Sequence, residues 1–289
     1  MALVVAVAAV SLSGPIMTAT HAPALGIAFW RNALGALVTL PFMLRHVPVL
    51  RRLSRHQWLA MLSAGALLGA HFATWIPSLR YTSIAASTAL VATQVVWAAI
   101  LAFLMGHRAP RKEWIGIGVS LLGVVVLTGI DLAITPRALI GDTLALLGAM
   151  GSAAYMTVGQ RVRPALPLAA YTAVVYAASA LTLGAICVLG GVPLTGYSSQ
   201  AWLLIVAVTA VAQFGGHSLL NKALRSFSAT AVSIAILCEM PGSTLIGWIW
   251  PGQTPPWALL PAAVLIVGGI VLVLGASRPT TLDPDAATP

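Results

Sequence analysis

The sequence predicts an all-α membrane protein with ten transmembrane helices in two inverted five-helix repeats, with both termini in the cytoplasm. Composition, an internal repeat and the distribution of basic residues among loops support this fold class. Hydrophobic residues make up 59% of the chain and charged residues 7%, whereas a soluble domain typically has about 25% charged residues. Apolar blocks of roughly 20 residues match the ~30 Å hydrocarbon core of a bilayer.

An internal repeat relates the two halves of the chain. A shift of 145 positions places Leu79 on Leu224 and Pro110 on Pro255. An earlier block aligns at a shift of 141, so the copies differ by a four-residue insertion or deletion. The repeat predicts two units, residues 1–130 and 131–277, followed by a disordered cytoplasmic tail at 278–289.

Ten apolar segments are expected to form the membrane helices. They span residues 1–18, 23–44, 57–79, 83–105, 112–130, 142–161, 167–190, 201–222, 228–250 and 256–276. Lys and Arg concentrate in every second loop, while the remaining loops hold only Arg80 and Arg137. Cytoplasmic loops hold the basic residues, and five helices is an odd number, so the second half enters the membrane in the opposite sense.

The first two helices contain a break and a buried charge. Because proline removes a backbone hydrogen bond, a hinge is expected at Gly14 and Pro15 of the first helix. Arg31 lies a turn or two inside the outer end of the second helix and needs a partner there. It either holds a substrate carboxylate through two parallel hydrogen bonds or clasps helix carbonyls.

Aromatic and polar residues share faces of the third and fourth helices. His71 and Trp75 are four residues apart and Gln94 and Trp97 three apart, spacings that place each pair on one helix face. An aromatic face beside a hydrogen-bonding edge suits a flat organic solute, and Tyr155 of the sixth helix is a further candidate for this site. For each ring the alternative is ordinary packing or an interfacial belt.

Small residues in three helices predict close helix contacts. They are Gly65 and Gly69 in the third helix, Gly116 and Ser120 in the fifth, and Gly268 and Gly269 in the tenth.

The eighth helix carries a polar stripe, because Thr209, Gln213, His217 and Asn221 follow one another at spacings of four. Residues at this spacing lie on one face of a helix. The stripe either lines a pathway or fastens the helix to a neighbour.

The ninth helix contains Glu239, the only acid that the pattern places deep within a helix. Glu239 is the repeat equivalent of Gln94 at the shift of 145. An acid in lipid needs a cavity or a cationic partner, so a role in substrate binding or coupling competes with a plain interhelical hydrogen bond. Pro241 and Gly242 follow and predict a second hinge.

Several function classes have no support in the sequence. The net charge of +9 lies in short loops rather than in a basic patch with interleaved aromatics, so no nucleic-acid partner is expected. No phosphate-binding loop appears, and no cofactor, metal site or set of catalytic residues is expected. Cys187 and Cys238 both fall in apolar blocks and are expected to serve packing.

Longer motifs carry a family resemblance. They are Leu79-Arg80-Tyr81-Thr82-Ser83-Ile84-Ala85-Ala86-Ser87-Thr88-Ala89-Leu90, then Leu104-Met105-Gly106, then Trp114-Ile115-Gly116-Ile117-Gly118. On these residues the chain resembles the drug/metabolite transporter superfamily, specifically its EamA-type members. Two features depart from the family pattern: Gly106-His107 and Gly252-Gln253 stand where Gly-Glu is usual, and only the second half keeps the mid-helix proline, as Pro241.

The resemblance implies a basket of helices one to four and six to nine around a central cavity, with helices five and ten outside. The segment His71-Phe72-Ala73-Thr74-Trp75 is most similar to the aromatic amino-acid exporters of that superfamily.

The expected function is export of aromatic or other neutral amino acids, or related metabolites, across a bacterial inner membrane by alternating access. Inverted repeats suit this mechanism because they can exchange conformations around a midplane site. The lipid bilayer and a small-molecule substrate are the expected partners, the chain is compatible with a monomer, and no enzymatic activity is expected. The alternatives are export of cationic drugs, with Glu239 as the counter-charge, and a non-transporting membrane partner protein.

Overall fold

The computed structural model describes residues 2–106, 108–162, 166–217, 219, 238–255 and 259–276. Within these residues the secondary structure is helical. The elements are α1 Ala2–Ser11, α2 Ser13–Ala19, α3 Ala24–Leu44, α4 Val47–Arg51, α5 Arg55–Ser78, α6 Ile84–Ala92, α7 Gln94–Leu104, α8 Arg111–Ile134, α9 Ala138–Val162, α10 Leu168–Leu189, α11 Ser199–Val208, a π-helical segment Thr209–His217, α12 Glu239–Ile249 and α13 Leu259–Ala276.

The predicted all-helical membrane protein is confirmed. Among the described residues, eight helices are long and apolar enough to cross a membrane. The first predicted helix corresponds to the shorter apolar stretch Val4–Ala19. The ninth, predicted at 228–250, is described only from residue 238 onward, so the full count of ten stays a prediction.

Local chemistry explains where several helices begin. The Ser54 hydroxyl accepts a hydrogen bond from the Gln57 N–H, and the Gln57 side chain accepts one from the Ser54 N–H. This reciprocal cap satisfies two N–H groups that a helix start leaves unpaired. It starts α5 at Arg55, two residues before the predicted position. The short helix α4 was not predicted; its Leu50 is buried in the core.

The first helix is broken at Leu12, two residues before Gly14 of the predicted hinge. Pro15 has no N–H and therefore cannot bond to the carbonyl of Ser11, four residues earlier. The Ser11 carbonyl instead accepts a hydrogen bond from the Ser243 hydroxyl of α12, at 2.9 Å. The break thus ties the first helix to a segment 232 residues away.

The fourth predicted helix is also broken, at Thr93, although it lacks the proline of the second half. The Thr93 N–H and hydroxyl both bond to the Leu90 carbonyl, which removes that carbonyl from the regular ladder. The helix resumes as α7 at Gln94. A threonine that bonds back to its own helix therefore interrupts the fourth helix here.

Glycines bring helices of the two halves into close contact. A Cβ atom added at Gly65 would lie 2.5 Å from the Ala178 Cβ, and one at Gly116 would lie 2.7 Å from the Gly269 carbonyl oxygen. The Ser120 hydroxyl donates to the Ile266 carbonyl at 3.0 Å. These contacts confirm the small-residue prediction for α5 with α10 and for α8 with α13. The prediction is wrong for Gly268, whose added Cβ would meet nothing within 4 Å.

Arg80, one of the two basic residues in the sparsely charged loops, caps the end of the first helix pair. Its Nη2 donates to the carbonyl oxygens of Thr20 at 2.6 Å and Ala22 at 3.1 Å, and its Nη1 donates to that of Thr18 at 3.2 Å. A cation is favourable at a helix C-terminus, where carbonyl groups lack partners. Arg80 therefore fixes the loop after α5 to the end of α2.

Candidate functional site

Arg31 of α3 is fully buried. Its Nε–H donates to Oε1 of Gln213 at 3.0 Å, and its Nη1 donates to the Ser13 hydroxyl at 3.4 Å. The guanidinium carbon sits 4.5 Å from the centre of the Phe72 ring, within the range of a cation–π contact. These contacts are to side chains rather than to the helix carbonyls expected from the sequence, and they favour a structural role for Arg31 over binding of a substrate carboxylate.

Gln213, in the π-helical segment, is a hydrogen-bond partner of Arg31 in this set of contacts, which we call the clasp. A Cβ atom added at Gly35 would lie 2.5 Å from its Nε2, so only a glycine at position 35 leaves room for the amide. Tyr176 of α10, which the sequence analysis did not single out, also interacts with the Gln213 side chain. The clasp therefore joins α2, α3, α10 and the π-helical segment.

The polar stripe of the eighth helix lies on a π-helix rather than on a regular α-helix, a correction to the prediction. Thr209 and Gln213 are buried, 4% and 1% exposed. Thr209 bonds back to the Ile205 carbonyl at 2.8 Å. The side chain of His217 and the whole of Asn221 lie outside the described residues. For Gln213, fastening the helix to a neighbour is the role that the contacts favour.

His71 is fixed to the sixth predicted helix. Its Nδ1 lies 2.8 Å from the Gly148 carbonyl oxygen, and because a carbonyl only accepts, Nδ1 carries the hydrogen. In the neutral ring Nε2 is then an acceptor. The imidazole stacks on Trp75 with ring centres 5.4 Å apart and an interplanar angle of 20°, which confirms that the two rings lie side by side.

Two tryptophans have buried indole N–H groups with no acceptor in the described part of the chain. The indole Nε1 atoms of Trp75 and Trp97 are both inaccessible and unpaired among the described residues. Trp75 packs on Gly148 of α9, where an added Cβ would lie 3.0 Å from the Trp75 Cβ. Trp97 lies on α7, which also packs against α9. A buried N–H without a partner costs free energy, so a bound molecule that supplied an acceptor to these donors would be stabilised.

Gln94 and Glu239, the repeat equivalents, are each the first residue of a helix, α7 and α12 respectively. Gln94 accepts a short hydrogen bond from the Ser152 hydroxyl of α9. The Glu239 carboxylate attracts the Arg31 guanidinium electrostatically. Gln94 is therefore held by α9, while Glu239 has a cation within electrostatic range, as the sequence analysis required.

Tyr155 extends the aromatic surface along α9. It is partly buried, packs against the same core cluster as Trp75 and Phe72, and interacts electrostatically with Tyr176. Since Gly148, Ser152 and Tyr155 follow one another at spacings of four and three, they lie on one face of α9. That face supports His71, Trp75 and Gln94.

The predicted hinge residues occupy different environments. Gly14 and Pro15 are buried in α2, whereas Pro241 is exposed. Gly242 packs directly on the first helix, since an added Cβ would lie 2.9 Å from the Ser11 Cβ. The predicted hinges of the first and ninth helices therefore both lie near Ser11, the last residue of α1.

One buried acid was not predicted. Asp142, near the start of α9, is fully buried, so Glu239 is not the only acid inside a helix. The predicted helix began at residue 142, whereas α9 begins at Ala138, which moves Asp142 from the helix end into its second turn.

Known proteins resemble this chain in sequence and in fold. The sequence model of the EamA-like transporter family matches residues 1–129 and 139–275. A solved structure titled "Crystal structure of protein" is similar with a TM-score of 0.55 and 19% sequence identity, covering 96% of each chain. No curated protein sequence matches.

Proposed function

The chain belongs to the EamA-like transporter family, and on that premise we propose that it exports aromatic and other neutral amino acids, or related metabolites, by alternating access through a central cavity. Membership makes it a multi-pass membrane protein that transports small molecules. We propose the substrate class, the outward direction of transport and the alternating-access mechanism in addition to this.

The unpaired indole donors of Trp75 and Trp97 carry the substrate proposal. A tryptophan N–H only donates, so its natural complement is a solute with hydrogen-bond acceptors. The carboxylate of an amino acid supplies two acceptor oxygens, and bonds to a charged acceptor are the stronger ones. The indole and imidazole faces supply a stacking surface for an aromatic or aliphatic side chain.

His71 supplies the complementary group for the amino end of such a substrate. With its Nδ1–H donated to Gly148, the neutral ring presents an acceptor at Nε2. An ammonium group has only donors and fits this acceptor or the Glu239 carboxylate. In this assignment Arg31 holds the helices together and does not contact the substrate.

Packing between the halves supports the proposal of inverted repeats and alternating access. α5 packs on α9, α1 on the π-helical segment, α3 on α10 and α8 on α13. Each pair joins one helix of each predicted half. If each helix is replaced by its equivalent in the other half, the α5–α9 pair becomes the pair of the π-helical segment with α1. The α3–α10 and α8–α13 pairs are unchanged by the same replacement. A duplicated inverted unit would produce this pattern.

Export of lipophilic cations is the second candidate, and Glu239 is the observation in its favour. Arg31 opposes it, because Arg31 and Glu239 together carry no net charge. A zwitterionic amino acid adds no net charge to this buried site, whereas a cation adds one. Organic cations that lack oxygen also offer the indole donors no acceptor.

Topology and location complete the proposal. The distribution of basic residues among the loops favours a cytoplasmic position for both termini by the positive-inside rule. An inner-membrane location and a monomeric working unit are consistent with that arrangement.

The test is flux of labelled amino acids into proteoliposomes of the purified protein, measured as uptake and as counterflow, with and without a pH gradient. Saturable flux of phenylalanine, tryptophan or threonine supports the proposal. Flux that follows the gradient makes Glu239 the leading proton carrier, whereas flux that ignores it limits Glu239 to binding. No flux of any amino acid refutes the proposed substrate class, and stable retention of a protein partner would then favour a non-transporting role.

A further inference from the structure

Ile84, the first residue of α6, is a contact point between three helices. Its side chain is 1% exposed. A Cβ atom added at Gly14 of α2 would lie 3.4 Å from the Ile84 Cγ2, and one added at Gly247 of α12 would lie 2.9 Å from the Ile84 Cδ1. The two glycines therefore form a socket for the Ile84 side chain. Gly14 is itself a predicted hinge residue, and Gly247 lies five residues after the predicted hinge residue Gly242.

The backbone of Ile84 is held from the same side. Its N–H donates to Oε1 of Gln253 at 3.0 Å, across 169 positions of sequence. The Gln253 N–H donates to the Gly247 carbonyl at 3.0 Å, so the loop after α12 is folded back on the helix. The first N–H groups of a helix have no partner within it, and here a residue of the other half supplies one. We call Gly14, Ile84, Gly247 and Gln253 the seal.

The seal lies at the end of the bundle away from the basic loops. α5 runs from Arg55 to Ser78, so the loop that precedes Ile84 and the arginine-rich segment before Arg55 are at opposite ends of that helix. Thr88, one turn further along α6, is 5% exposed and lies behind Ile84. The seal therefore joins α2, α6 and α12 at the end of the bundle that the distribution of basic residues predicts to be the outer one.

We propose that the seal is the outer gate of the transporter, and that the outer side opens when α2 and α12 withdraw from Ile84 and Gln253 releases the N-terminus of α6. This inference rests on the proposed transport function. The released N–H faces water at the membrane surface, so the gate opens with little loss of hydrogen bonding. A carboxylate at position 253 would bind the positive end of α6 more strongly than the neutral amide does, so glutamine makes the gate easier to open than glutamate would.

The test measures the reaction of a thiol behind the seal with a membrane-impermeant maleimide. Thr88→Cys is introduced into a background that carries Cys187→Ala and Cys238→Ala, and the reagent is added to right-side-out and to inside-out vesicles separately. Gln253→Leu removes the acceptor of the Ile84 N–H and is expected to raise the outer labelling rate about three- to tenfold, the effect of one hydrogen bond. Gly247→Ala places a methyl group against the Ile84 side chain and is expected to raise the rate by a similar factor, about three- to tenfold. Gln253→Glu is expected to lower it.

The matched control is Gly268→Ala, an equivalent substitution inside a helix whose added Cβ meets nothing within 4 Å. Equal labelling rates for Gly247→Ala, Gln253→Leu and this control would overturn the proposal, as would labelling that rises only from the side of the basic loops. Thermal melting and gel filtration of each variant verify that it is folded. The labelling needs no substrate, so a gate that responds without amino-acid flux refutes the proposed function alone, and normal flux with an unresponsive thiol refutes the gate alone.

Discussion

The Nε–H of Arg31 donates to Oε1 of Gln213 across 182 positions of sequence, at 3.0 Å, inside a fully buried site. The bond joins the second predicted helix of one half to the third predicted helix of the other. Because Ser13 and Phe72 hold the same guanidinium, Arg31 is expected to stabilise the arrangement of helices rather than to bind substrate.

Arg31→Lys tests this role. A lysine keeps the charge but cannot bond at two positions or stack in the same way, so we expect a lower melting temperature. Flux is expected to fall by the same factor for phenylalanine and for phenylalanine amide, which lacks the carboxylate. A selective rise in KM for the free acid, at unchanged melting temperature, would instead show that Arg31 binds the carboxylate.

Gly35→Ala is expected to displace Gln213 from Arg31. The added Cβ would lie 2.5 Å from the Gln213 Nε2, and such crowding in a packed interior typically costs about 1–3 kcal/mol. Alanine is the better helix former by about 1 kcal/mol, so a net loss of stability points to the crowding itself. Melting temperature in detergent is the measurement. Gly118→Ala, whose added Cβ meets nothing within 4 Å, is the control and is expected to be neutral or stabilising.

A double-mutant cycle tests the break in the first helix. Ser243→Ala leaves the Ser11 carbonyl without its partner and is expected to destabilise the protein by about 1–2 kcal/mol. Pro15→Ala restores an N–H four residues after Ser11, so the loss in Ser243→Ala should shrink in that background. Denaturation of the four proteins measures the coupling, and strictly additive losses would show that Pro15 and Ser243 do not share the Ser11 carbonyl.

Trp75→Phe and Trp97→Phe separate the indole donors from the rings. Each substitution keeps an aromatic surface and removes a buried N–H that has no acceptor among the described residues. Stability without substrate should therefore be unchanged or slightly higher. If the N–H groups bind a carboxylate, KM for phenylalanine should rise roughly tenfold or more in each variant. Wild-type KM in both folded variants would remove the indole donors from the site.

The sequence predicted the long helices well because each is a long apolar block with polar ends. The break at Leu12 lies within three residues of the predicted hinge residue Pro15, since a proline acts on the helix in which it lies; a hinge motion there stays a prediction. The break at Thr93 was not predicted, because a threonine that bonds to its own helix looks in sequence like any other buried threonine.

The contacts that the site residues make could not be predicted from the sequence, for a different reason. Gln213 had a visible periodicity, but its contact with Arg31 depends on how two distant helices pack. The space that Gly35 leaves for it depends on the same packing. Asp142 was missed because the predicted start of its helix was four residues late, which made a buried acid look terminal.

Competition during counterflow tests the central claim most directly. Wild-type proteoliposomes preloaded with phenylalanine exchange it for labelled phenylalanine, in the presence of excess external phenethylamine or of excess external phenylalanine. Phenethylamine keeps the ring and the ammonium group but lacks the carboxylate that the indole donors are proposed to bind. If the indole donors bind the substrate carboxylate, phenylalanine is expected to compete and phenethylamine is not. Equal competition by phenethylamine would show that the carboxylate is not bound, and would favour a transporter of organic cations.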